Sequence, residues 1–135
     1  MKKTLGFTFL LAMALASPAR AGSPPPLGRW LSASGNVEVT VRPCGPALCG
    51  VVSRVFANNS MEHAGPATSP PATIGLQIMT DFRPDGDGWT GKLFNRENGN
   101  TYDCHITVQD ADHLELRAYV GLPMFGKTQV WKRLG

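Results

Sequence analysis

Residues 36–56 read Asn-Val-Glu-Val-Thr-Val-Arg-Pro-Cys-Gly-Pro-Ala-Leu-Cys-Gly-Val-Val-Ser-Arg-Val-Phe. Val37, Val39 and Val41 alternate with Glu38, Thr40 and Arg42. A period of two marks a half-buried β-strand. A second β-branched run covers residues 51–56. Between the two runs, Gly45 and Pro46 turn the chain, and Cys44 and Cys49 flank the turn. This pattern predicts a β-hairpin whose tip a Cys44–Cys49 disulfide can pin.

Working outward, the same grammar repeats. Residues 27–31 form a short strand before the Ser34-Gly35 turn. Residues 74–80, 89–95, 101–109, 114–120 and 127–134 supply further apolar or alternating runs. Asp81-Phe82-Arg83-Pro84 reads as the exit from the fourth run, and Asp85-Gly86-Asp87-Gly88 as a tight hairpin turn. Asn98-Gly99 is a strong hairpin signal between the fifth and sixth strands. In the sixth, alternation puts Cys104 on the apolar face and His105 on the polar one. Residues 58–73 have no periodicity and are rich in Pro, Ser and Asn, a composition that points to a long disordered loop. About eight short strands joined mostly by tight turns imply an all-β, antiparallel up-and-down barrel, because closure removes unpaired edges. A two-sheet β-sandwich is the alternative. An eight-stranded barrel either fills its interior with side chains or holds one small ligand.

The first residues have the layout of a signal peptide. Lys2 and Lys3 precede a short apolar run, and Ala19-Arg20-Ala21 fits the cleavage pattern. The expected organisation is a cleaved signal peptide at 1–21, a Pro-rich tether at 22–26 and a single β-barrel domain at 27–135, with a periplasmic or secreted location. An uncleaved anchor helix is the rival reading. Losing Lys2, Lys3 and Arg20 brings the 13 basic residues level with the 10 acidic ones. No Lys/Arg cluster follows Ala21, so nucleic acid is not an expected partner. No later segment suggests a protein integral to the membrane. An oxidising compartment suits the Cys44–Cys49 bridge. Cys104 is then an unpaired thiol, read as a small hydrophobe within a strand.

Several motifs in order resemble one family: Gly28-x-Trp30, the run from Val37 to Gly50, Asp81-Phe82-Arg83-Pro84, Gly88-Trp89-x-Gly91, Asn98-Gly99-x-Thr101-Tyr102, and Gly121-x-x-x-Phe125-Gly126-x-Thr128-Gln129-x-Trp131. Together they resemble the secreted bacterial family known as domain of unknown function 2147. The resemblance implies a small lipocalin-like barrel and no established reaction. Gly28-x-Trp30 also resembles the lipocalin entrance signature. That likeness implies a Trp closing one barrel end, with Arg133 or Lys132 from the last strand packed over it.

The chemistry available points to binding rather than catalysis. His63, His105 and His113 show no spacing that brings metal ligands together, and no metal or other cofactor is expected. Asp-Gly-Asp-Gly tempts a calcium reading, but strand-like residues lie between it and Glu97, the one residue at the closing offset. There is no Gly-x-Ser-x-Gly elbow, and Cys44 and Cys49 are taken up in a bridge, so no catalytic residue is assigned. Asp81 and Arg83 read as a local ion pair at the barrel rim, with a polar ligand as the alternative. The candidate ligand-binding residues are Trp30, Phe82, Arg83, Trp89, Tyr102, Met124 and Phe125, an aromatic and soft set suited to an apolar or amphipathic molecule. Residues 122–125 put Leu, Met and Phe in a loop, which suits a rim or a contact with an envelope protein. The functional expectation is a ligand-binding barrel. The alternative is an interaction or structural module of the envelope without a ligand cavity.

Overall fold

The computed structural model describes Gly6, residues 24–121 and residues 126–135. The regular structure within them is entirely strand: β1 (Gly28–Leu31), β2 (Val37–Cys44), β3 (Ala47–Val55), β4 (Gln77–Asp85), β5 (Gly88–Phe94), β6 (Thr101–Asp110), β7 (His113–Tyr119) and β8 (Lys127–Arg133). Each strand pairs antiparallel with the next, and β8 returns to β1, so the sheet closes into an up-and-down barrel rather than a sandwich. The closing seam is short. It pairs Trp30 with Arg133 and Leu31 with Lys132, and the Leu134 N–H extends it to the Arg29 carbonyl at 2.8 Å.

Alternation in β2 works as the sequence dictates, with Val37, Val39 and Val41 buried. Glu38 is buried as well, although its position has the opposite phase. Its carboxylate lies between Arg29 of β1 at 3.3 Å and Arg54 of β3 at 3.4 Å. The two long side chains stay partly in water while covering the acid. The β2–β3 ladder runs to Cys44 opposite Ala47, leaving a two-residue turn. Gly45 takes φ 64° there, as the first central position of a type II′ turn requires, and the fixed φ of Pro46 suits the second. The Cys44–Cys49 disulfide is present across this tip, with Cα atoms 5.7 Å apart.

The fourth strand departs from expectation. It begins at Gln77 and continues through Asp81-Phe82-Arg83-Pro84, which had read as its exit. The ladder with β5 slips between Thr80 and Arg83, where Asp81 takes φ 56°. This bulge adds a residue and breaks the period of two. Met79 and Phe82, three apart, are therefore both fully buried.

The interior is graded along the barrel axis. Large side chains fill the end that holds the β2–β3 tip and the last residues of the chain: Trp30, Phe82, Ile106 and Leu114 are all fully buried. Gly91 accommodates Phe82, since a Cβ at that position would come within 2.7 Å of the ring. The Trp30 indole N–H donates to the Pro26 carbonyl at 3.0 Å. Pro26, expected as the end of a free tether, is thereby packed into this plug. The Arg133 guanidinium stands 4.2 Å from the Trp30 ring centroid and donates to the Leu27 carbonyl at 2.9 Å. Gly28, at φ 112°, leaves the space, because a Cβ would lie 2.7 Å from Arg133 Nη1. Arg133 rather than Lys132 takes this role; Lys132 has the opposite phase on β8 and is exposed.

Replacing Arg133 removes a cation–π contact and charged hydrogen bonds at once. Arg133→Met should destabilise the barrel by about 2–4 kcal/mol in urea unfolding. Arg133→Lys should recover only part of this, because an ammonium cannot reproduce the planar fork. An Arg133→Met variant as stable as the parent would show that the plug does not depend on the cation.

Candidate functional site

The opposite end of the barrel is not filled by the described residues. The β1–β2, β3–β4 and β5–β6 connections, with Val120 after β7, border a cavity of about 680 Å³. Val37, Val52, Ile78, Leu93 and Trp131 form its apolar wall. Asn36, Asn95, Asn98, Tyr102, Lys127 and Gln129 give it a polar margin. Inward positions that could have been filled carry small residues here: Ser32, Ala72 and Ala118 all line the space. An apolar wall with a few placed polar groups is the usual make-up of a small-molecule site, and the volume lies in the usual range of about 300–1,000 Å³.

The β3–β4 connection crosses one side of this mouth as an anchored strap. Its composition favoured disorder, but its partners lie elsewhere in the chain. Arg96, on the β5–β6 turn, donates to Asn58 Oδ1 at 2.6 Å and to the Pro70 carbonyl at 2.8 Å. The neighbouring Glu97 carboxylate accepts from the Ser60 hydroxyl at 2.9 Å and the Met61 N–H at 2.7 Å. Asn36 grips Asn59 from the β1–β2 side, accepting its N–H at 2.7 Å and donating to its carbonyl at 2.9 Å. The β5–β6 turn is itself set by Asn95, whose side chain accepts the Glu97 N–H at 2.9 Å and whose carbonyl accepts the Gly99 N–H at 2.8 Å. Desolvation pushes the Glu97 carboxyl up. The Met61 N–H, the Ser60 hydroxyl and the charges of His63 and Arg96 outweigh it, so the group lies below its ordinary range.

The predicted binding residues fall in different places. Tyr102 lines the cavity. Trp30 and Phe82 belong to the filled end. Trp89 is half-buried and packs against the core; it pairs with the buried Ile106 toward the filled end and does not line the cavity. Arg83 is exposed and pairs with Asp81 at 2.9 Å, the local ion pair expected of them. Met124 and Phe125, like the expected signal segment apart from Gly6, lie outside the described residues. Of the other cavity residues, none singled out for binding by the sequence, the last two strands supply Ala118, Lys127, Gln129 and Trp131. Their signal was the alternation of the last two strands, which fixes the inward face once closure is assumed.

Other reactive groups sit away from the cavity. His105 bridges Asp87, at 2.7 Å from Nε2, and the Thr90 hydroxyl, at 2.8 Å from Nδ1, on the outer side of β5 and β6. His113 pairs with Asp110 at 2.8 Å across the β6–β7 turn. Asp110 is held below the ordinary range by the Asp112 N–H and then by His113. His63 is exposed on the strap. Cys104 is buried, and burial pushes its thiol up to about 12, which keeps it protonated and unreactive at neutral pH. Among the described residues no group of three or more His, Cys, Asp or Glu is placed to hold a metal ion. No helix among them is long and apolar enough to cross a membrane.

The family described as "Uncharacterized protein conserved in bacteria (DUF2147)" matches residues 28–133, the whole barrel from β1 to β8. The chain belongs to the DUF2147 family. No curated protein and no solved structure matches it. The motifs that carry the family likeness divide between the two ends of this DUF2147 barrel. Gly28-x-Trp30 serves the plug, whereas Asn98, Tyr102 and Gln129 border the cavity.

The Glu97 anchorage has a definite pH sign. A carboxyl depressed in the folded state holds the strap fully above its ordinary range and releases it as pH falls through the depressed value. The Met61 amide resonance should therefore titrate with a midpoint below the ordinary glutamate value of about 4.3. Glu97→Ala should speed proteolysis of residues 58–73 severalfold at neutral pH. Equal cleavage of parent and variant would contradict the anchorage.

Proposed function

We propose that this DUF2147 chain is a secreted, periplasmic binding protein that holds a small amphipathic molecule in the open end of its barrel. The observation that carries the reading is the unfilled mouth. A barrel of this size could pack its interior completely, yet among the described residues a volume remains at one end behind an apolar wall and a polar margin. An apolar tail would lie against Val52, Ile78, Leu93 and Trp131, gaining about 0.8 kcal/mol per buried methylene before the costs of association. The secreted location rests on the composition of the first 21 residues. The binding reading is preferred to an enzymatic one because the paired acid–base groups, His105 with Asp87 and His113 with Asp110, lie outside the cavity.

A second reading, an envelope interaction module, has one observation in its favour. Phe56, Ile74 and Val120 are 52%, 72% and 74% exposed, and all lie in or beside the connections at the mouth.

Ala118→Trp fills the cavity from a position with room to spare. A fluorescent amphiphile should bind the parent and quench or shift Trp131 emission. The variant should bind at least tenfold more weakly while keeping the parent's far-ultraviolet dichroism. If the parent takes up no amphiphile from a broad panel, the carrier reading fails and the interaction module takes its place.

A further inference from the structure

We infer that the polar end of the ligand is an anion, received by Lys127 with Gln129 and Tyr102. This inference rests on the proposed function and names the class of molecule the cavity takes.

The register of β8 places the donors. Trp131 is buried, so every second residue from it shares the inward face. That row reads Lys127, Gln129, Trp131 from mouth to interior, and all three line the cavity. The Trp131 indole N–H donates to Gln129 Oε1 at 2.9 Å. This fixes the Gln129 amide with its oxygen occupied and its N–H groups free to donate. Tyr102 stands on β6, two strands away. Its oxygen accepts the Asn98 amide at 2.8 Å, and its own hydrogen has no acceptor among the described residues. On β7, between these two strands, the inward residue opposite Lys127 is Ala118. Its methyl leaves the space between the donors open.

Charge selects the sign. Among the described residues three charged ones line the cavity: Glu62, Arg96 and Lys127. Glu62 accepts from the Asn98 amide at 3.2 Å. Arg96 is turned onto the strap, where it holds Asn58 and Pro70. Two cations thus stand against one acid, and Lys127 is the cation with no ion pair or hydrogen bond to any described residue. An unpaired cation, an amide N–H pair and a phenolic O–H around one opening are all donors. A carboxylate or a phosphate would satisfy them together, whereas an alcohol or an ammonium would not.

The test compares single-chain amphiphiles of one length below their micelle concentrations: dodecanoate, dodecyl phosphate, dodecanol and dodecylammonium. Binding is read by Trp131 emission, with Trp131→Phe as the control. At low salt the anions should bind at least tenfold more tightly than dodecanol. That preference should shrink as salt is raised, because an exposed charge is screened. Lys127→Met should abolish the preference without changing dodecanol affinity, and Lys127→Arg should retain it. The ranking of dodecanoate against dodecyl phosphate distinguishes a fatty-acid source from a phosphate-headed one. Equal binding of dodecanol and the anions, or a Lys127→Met variant that weakens both alike, would overturn the inference and leave the cavity reading standing. If none of the four binds, the proposed function falls and this inference falls with it.

Discussion

Everything at the mouth depends on how the barrel is closed at its other end. The β1–β8 seam joins only two residue pairs, so the side chains beneath it must hold what the ladder does not. Trp30 and Arg133 face each other across that seam, and their stacking ties the first strand to the last. The guanidinium also satisfies the Leu27 carbonyl, and the indole satisfies that of Pro26. A planar cation over an aromatic face closes the end of the barrel and leaves no buried donor idle.

A sealed end changes what the rest of the interior has to do. Trp30, Phe82, Ile106 and Leu114 concentrate the bulk of the core near the plug. The mouth can then carry Ala118, Ala72 and Ser32 without loss of closure. The strap adds structure there without filling the space, because it is held mainly by side chains of the neighbouring connections and buries only a small apolar residue, Ala72. Dense packing and the candidate site are thus separated along one axis: the plug is filled by large side chains, and the candidate site lies where the described residues leave packing incomplete.

Much of this was legible in the sequence because the barrel obeys a period of two. The valines of β2, the Gly45-Pro46 turn between the cysteines and the Trp30 signature each have local causes and were readable from local residues. The bulge at Asp81 was not. A single residue in the left-handed region shifts the phase, and no periodicity announces it. The order of residues 58–73 was hidden for a different reason: its anchors, Arg96 and Glu97, lie more than twenty positions away on another turn. The cavity escaped in part as well. Aromatic residues drew attention to Trp30 and Phe82, which fill the barrel, whereas free volume arises from small residues that carry no signal of their own. Of the residues singled out for binding, Tyr102 alone lines the space among those described.

The central claim is that the open end carries a resident amphiphile. Native mass spectrometry of the protein, purified gently from the cells that make it, tests this most directly. The account predicts an added mass of a few hundred daltons that departs on activation and is absent from the Ala118→Trp variant. A protein that emerges bare, and stays bare after incubation with a lipid extract of the same cells, would contradict it.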